Sequence, residues 1–250
     1  MDYWQREFDN PSESRISLIV SILSVGTFVG ALCAGPLSDW IGRRWGIIIS
    51  AAIPFNLGVA LQVAATEQNM FIIGRLFAGF GVGLVSVQIP MFQSETLPKW
   101  IRGAVVGSYQ LCITIGLLLA SCVNFATQNR NDSGSYRIPL AIQFAWAIIL
   151  CVGMFLLPET PRWLISKGRD AQAMRSLVRL RRLPADSPYL IAEIEEIKGN
   201  YEYEKSIGTA SYLECFKGTL GKRTITGLCL QSLQQLVGIN FISKPPLPLK

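Results

Sequence analysis

A chain of 250 residues, half of them hydrophobic and only 16% charged, carries a net charge of +6 and no histidine. Ordinary soluble domains hold about a quarter charged residues, so this composition excludes one, and the missing imidazole removes histidine-based triads, proton shuttles and metal sites. The six cysteines form no C-x-x-C pair, which argues against a zinc site or a disulfide framework; no cofactor and no enzymatic function are expected.

Residues 1–15 are polar and lack an apolar centre, so they are not a cleavable signal. Six long apolar stretches follow, at 16–36, 46–65, 70–92, 103–126, 139–157 and 224–242. Each holds roughly 19 to 24 residues, and at about 1.5 Å per residue each spans a hydrocarbon core of about 30 Å. The fold class expected is all-α, a polytopic transmembrane bundle. Its domains are a non-cytosolic segment at 1–15, a five-helix bundle at 16–157, a cytosolic connection at 158–223 with short amphipathic helices, a sixth span at 224–242 and a proline-rich tail at 243–250.

The first span carries Gly26, Gly30 and Ala34 at four-residue spacing; the third carries Gly74, Gly79, Gly81 and Gly83; the fourth carries Gly103, Gly107, Gly116 and Ala120. Small residues in such stripes let helix backbones approach closely. A sliding surface would use the same stripe. Between the first two spans lies Gly35-Pro-Leu-Ser-Asp39-Trp-Ile-Gly42-Arg43-Arg44, where Asp39 and the two arginines can lock neighbouring helices or simply anchor the topology. Arg75 is the one formal charge deep inside a span, and Glu95, Lys99 and Arg102 follow the third.

Carboxamides are the informative polar groups. Gln110 lies in the fourth span, and Gln231, Gln234, Gln235 and Asn240 crowd the sixth, with Gly238 placed to break that helix. Burying an amide in lipid is costly, so these groups face either another helix or a polar cavity. Amides offer donors and acceptors without charge, which suits a neutral polyhydroxylated solute. The connections after the first, third and fifth spans hold 16 of the 23 Lys and Arg, and this positive-inside bias puts them in the cytosol. Within 158–223, residues 170–182 and 188–201 show helical periodicity. Leu190, Ile194, Ile197 and Tyr201 lie on one stripe, and Arg175, Arg179, Arg181 and Arg182 line another face. Such a segment either lies on anionic lipid or packs as a cytosolic helical cluster, the latter being favoured. Asn131-Asp132-Ser133 is a glycosylation sequon in a short outer loop.

Five motifs in order then carry a resemblance: G-x-x-x-D-x-x-G-R-R at 35–44, G-R at 74–75, E-x-x-P-x-x-x-R-G at 95–103, P-E-T-P-R-W-L at 158–164 and Q-Q-L-x-G-x-N at 234–240. Together they resemble the sugar porter family of the major facilitator superfamily, in the style of fungal monosaccharide transporters, over about 16–242. The resemblance implies that the spans correspond to helices two to seven of a twelve-helix carrier. It implies that Gln110, Ile113, Gln234, Gln235 and Asn240 bind the sugar. It assigns Asp39, Arg43, Arg44, Glu95, Arg102, Glu159 and Arg162 to cytosolic salt bridges that gate the carrier. Arg75 matches a residue that, in proton-coupled relatives, partners an aspartate on helix one. The function implied is transport of a hexose such as glucose by alternating access in the plasma membrane, with the monosaccharide, the lipid bilayer and a co-transported proton as partners and no nucleic acid. No apolar stretch precedes residue 16 and the tail leaves the family pattern, so a partial carrier that does not transport alone is expected. The alternative is a sugar sensor that binds without carrying.

Overall fold

The computed structural model describes residues 12–127, 132–207 and 218–236. It divides into a unit running to Ile197 and a second unit from Lys198. In the first unit, α1 (Glu13–Ile41), α4 (Gln68–Thr96), α5 (Lys99–Thr127) and α6 (Gly134–Leu156) are single long helices. The second predicted span is instead built in three pieces: α2 (Arg43–Ser50), a π-helical segment (Ala51–Phe55) and α3 (Asn56–Ala64). Pro54 sits in the π segment. Proline lacks the N–H and its ring clashes with the preceding turn, and widening the helix locally is one way to accommodate it. All five spans have the length and hydropathy to cross a membrane.

Because lipid tails are as apolar as leucine, packing between these helices must come from close contact rather than from the hydrophobic effect. The glycines of α1 and α4 supply it. A Cβ on Gly30 would lie 2.3 Å from the Phe80 carbonyl oxygen, and one on Gly83 would lie 2.2 Å from that of Thr27. Gly58 of α3 abuts the Ala78 backbone in the same way, and Gly81 abuts Phe55 in the π segment. The close-packing interpretation therefore holds for α1, α3 and α4. It fails for α5: a Cβ on Gly103, Gly107 or Gly116 would meet nothing within 4 Å, and Thr127 is the helix's only buried residue. No helix of the first unit covers the stripe of α5.

Two apolar clusters close the bundle at its ends. Ile19, Ala65, Phe71, Tyr136 and Leu140 join α1, the α3–α4 corner and α6; Ile47, Ile48, Phe92 and Met154 join α2, α4 and α6. At the arginine-rich end follow α7 (Pro161–Ser166), α8 (Asp170–Arg181) and α9 (Pro188–Ile207). Leu177 of α8 packs with Leu190 and Ile194 of α9 in a small core. That core uses the predicted apolar stripe and supports the helical-cluster reading. Of the arginines expected to line the other face, Arg181 pairs with Glu193 at 2.6 Å and donates to the Thr96 carbonyl at 2.9 Å. In the second unit, α10 (Gly218–Leu236) begins six residues before the predicted sixth span. The glycosylation sequon's Asn131, Gly238, Asn240 and the tail lie outside the described residues.

Candidate functional site

The arginine-rich end holds a connected set of charged groups. Gly42 ends α1 with φ of +109°, a conformation other residues rarely adopt, and so turns the chain into α2. A Cβ there would also lie 2.6 Å from Glu159 Oε2. That carboxylate accepts from the Arg44 backbone N–H at 3.0 Å, so it sits on the positive N-terminus of α2. Arg43 turns inward. Its Nε donates to Glu95 Oε2 at 3.2 Å, its Nη2 to Glu95 Oε1 at 3.2 Å, and its Nη1 to Asp39 Oδ1 at 2.7 Å and the Ser38 carbonyl at 3.1 Å. The Arg43 and Glu95 side chains are 9% and 8% exposed, whereas Asp39 is 68% exposed. The bidentate contact with Glu95 is thus the buried one, and Asp39 reaches the same guanidinium from solvent.

Thr160 extends the set. Its hydroxyl donates to Glu95 Oε2 at 2.8 Å and accepts from the Trp163 N–H, capping α7, whose first residue is proline. Trp163 Nε1 donates to the Asp39 carbonyl at 3.1 Å, and the Ser176 hydroxyl donates to the Glu159 carbonyl. Helices α1, α2, α4, α7 and α8 therefore meet at one lattice. Thr160, Trp163 and Ser176 were not among the residues expected to act here. Thr-Pro ahead of an apolar run is a helix-start signal that could have found the first.

Not every predicted gate residue forms an ion pair. The Arg44 side chain donates to the Met154 and Phe155 carbonyls, and Arg102 Nη2 donates to the Leu97 carbonyl. Neither meets a carboxylate among the described residues, because each turns toward the unsatisfied carbonyls of a helix end. Arg162 is exposed on α7 and has an interaction partner.

The predicted sugar-binding groups are divided between α5 of the first unit and the second unit. Gln110 is exposed on α5, one turn from Thr114 and near Ile113, which is also exposed. Its amide has no hydrogen-bond partner among the described residues. Gln234 is exposed on α10 in the second unit, and Gln235 lies on the same helix; the Gln235 side chain is outside the described residues.

Arg75 on α4 borders a cavity of about 810 Å³ between α4, α5 and α6, lined also by Gly116, Asn124, Gln143 and Trp146. Its guanidinium lies over the Phe71 ring at 5.3 Å, and its buried Nε has no hydrogen-bond partner. Asn124 and Gln143 escaped the sequence reading although they carry the same signal as Gln110, an amide in an apolar span. Gln62 and Gln88 escaped it too. The first is buried against the Gly58 and Gly74 carbonyls, and the second accepts from Ser50. Both act as bonds between α3 or α2 and α4.

The family model described as "Sugar (and other) transporter" matches residues 3–244. The major facilitator-type transporter ecdD of Aspergillus rugulosus is 57% identical over 97% of this chain, which spans 46% of that protein. The high glucose sensor RGT2 of Saccharomyces cerevisiae is 44% identical over 92% of the chain, which spans 31% of it. The proton:xylose symporter XylE bound to 6-bromo-6-deoxy-D-glucose superposes over 96% of the chain with a TM-score of 0.81 at 27% identity, and 55% of that structure is covered. The chain thus spans half or less of the length of the curated relatives it matches.

Proposed function

Because the chain belongs to the sugar (and other) transporter family of the major facilitator superfamily, we propose that it takes part in moving a monosaccharide, a hexose such as glucose, across the membrane by alternating access. Its share is a polar-bearing helix face for the sugar and a charged lock for the gate. The observation that carries the proposal is their combination. One end of the bundle is tied by the Arg43–Glu95–Thr160 lattice, while α5 presents Gln110 and Ile113 on a face that no helix of the first unit covers. An amide in so apolar a helix is stable where it meets water or polar solute, and it can both donate to and accept from sugar hydroxyls. In this reading Gln234, Gln235 and Asn240 complete the sugar contacts. The lock, with Asp39, Glu159, Arg44, Arg102 and Arg162 around it, is the bistable element that sugar and gate both bias.

Arg75 is assigned a second task. A guanidinium in a membrane span with an unused Nε beside a large cavity calls for a carboxylate from another helix, and protonation of that carboxylate couples a proton to the sugar. The positive-inside bias of the basic connections supports a cytosolic side for the lattice, and in this reading the carrier works in the plasma membrane.

The test is labelled-glucose uptake into yeast lacking its own hexose carriers, with residues 12–236 replacing the matching stretch of a full-length fungal relative. Saturable uptake is expected, with kcat/KM falling about tenfold in Gln110→Ala for the loss of one or two hydrogen bonds. Uptake indifferent to Gln110 would sink the assignment of the sugar face. The identity to a glucose sensor favours a second reading, in which the same chimaera binds glucose while uptake stays at background.

A further inference from the structure

The end of α6 exposes carbonyls that no further turn of helix satisfies. Two arginines from other elements cover three of them. Arg44 donates from Nε to Met154 at 3.0 Å and from Nη2 to Phe155 at 2.8 Å, and Arg179 of α8 donates from Nη2 to Leu156 at 2.9 Å. Since α6 crosses the membrane and ends at Leu156, both guanidiniums lie where hydrocarbon gives way to headgroups. Arg44 also lies 5.6 Å from the Trp45 ring centre and 5.8 Å from that of Phe155. The two rings meet edge-on and are each about half exposed. Exposed aromatic rings beside a cation at the end of a span are the composition of the membrane–water interface.

Helix α8 extends the charge. Arg175 and Arg179, four residues apart, share one face, and Arg182 is the left-handed residue that ends the helix. Ala173, Ser176 and Leu177, on the opposite side, are buried. All three arginines are exposed, and neither they nor the Arg44 side chain meets a carboxylate among the described residues. Each guanidinium has five N–H donors, and the carbonyl contacts use only two of Arg44 and one of Arg179. The unused donors of Arg44 and Arg179 lie beside the exposed apolar residues Trp45, Phe155 and Leu156, and Arg175 and Arg182 add two further charges on the same short helix and its end.

We propose that Arg44, Arg175, Arg179 and Arg182 form a docking surface for an anionic phospholipid of the leaflet at this end of the bundle. The arginine forks hold its phosphate and carboxylate oxygens, and its acyl chains run along the exposed apolar strip. Charge matches charge and hydrocarbon matches hydrocarbon, at one depth in the bilayer. The bound lipid bridges α2, α6 and α8 from outside, while Glu159 already joins α2 and α8 through its carboxylate and its carbonyl.

The test uses the full 250-residue chain in phosphatidylcholine nanodiscs with trace spin-labelled phosphatidylserine or phosphatidylcholine, and reads the relative association of each lipid from the immobilised signal. Phosphatidylserine is expected to be preferred several-fold, and 0.5 M salt to abolish the preference, as screening requires. Arg175→Gln with Arg182→Asn should bring the preference close to one, since each arginine near an anionic surface contributes up to about fivefold in affinity. Neither side chain makes a hydrogen bond within the described residues, and asparagine tolerates the left-handed backbone at 182. Lys198→Gln with Lys205→Gln removes the same charge from α9 and should leave the preference intact. Equal association of the two lipids with the unaltered chain, or equal losses in both double variants, would overturn the proposal. The outcome does not depend on sugar movement, so it stands or falls separately from the transport reading.

Discussion

Removing the Glu95 carboxylate should destabilise the chain far more than removing that of Asp39, although both pair with Arg43. Glu95 is 8% exposed and takes two N–H donors from a guanidinium that is itself 9% exposed. Glu95→Ala leaves that charge buried beside a hole and the Thr160 hydroxyl without its acceptor. Breaking a buried pair by deleting one partner costs about 3–5 kcal/mol, or roughly 6–20 °C in melting temperature for a chain of this size. Asp39 is 68% exposed, and a solvent-facing pair contributes at most about 1 kcal/mol, so Asp39→Ala should move the midpoint by no more than about 4 °C. Replacing both partners, Arg43→Met with Glu95→Leu, should recover part of the Glu95→Ala loss, because no charge is left buried and Asp39 stays in water. The assay is the loss of monodisperse protein on heating in detergent, followed for the four chains. Equal losses for Asp39→Ala and Glu95→Ala would refute the division into buried and exposed partners.

Gly30→Leu should prevent recovery of folded protein, since its Cβ would overlap a backbone oxygen of α4, while Gly116→Ala, with nothing within 4 Å, should change the midpoint by less than a degree or two; size-exclusion yield separates them. Thr160→Val should cost about 1–2 kcal/mol by losing both a cap and a bond to Glu95, and Thr160→Ser should restore most of it, as read by melting. Leu177→Ala should cost about 2–5 kcal/mol, because the side chain is fully buried between α8 and α9, and should raise protease cleavage in the 182–187 connection before it affects the membrane helices.

Burial of the charged lattice was only half legible in the sequence. Arg43 and Glu95 stand 52 positions apart, and the order of motifs brings them under suspicion without saying which carboxylate is inside. Asp39 looked equally suited because it lies one helical turn from Arg43, but its position on the outer side of that turn leaves it in water. Arg44 and Arg102 show the limit from the other side. An arginine beside a carboxylate in sequence suggests an ion pair, yet a helix end offers unpaired carbonyls, and those take the donors instead. Glycine stripes behave similarly. The spacing in α1 and α5 is alike, but only a facing helix turns such a stripe into a contact.

Sequence alone determined that the chain crosses a membrane repeatedly, which of its ends is basic, and to which family it belongs. Span length, charge bias and ordered motifs are properties of the chain taken one segment at a time. Only the tertiary structure decided which glycines touch backbone, that Thr160, Trp163 and Ser176 complete the charged lattice, and that Arg44 and Arg179 converge on the end of α6. Those facts depend on which surfaces of distant helices meet. Segment-wise hydropathy is blind to that, because in lipid every apolar face is equally acceptable until another helix packs against it.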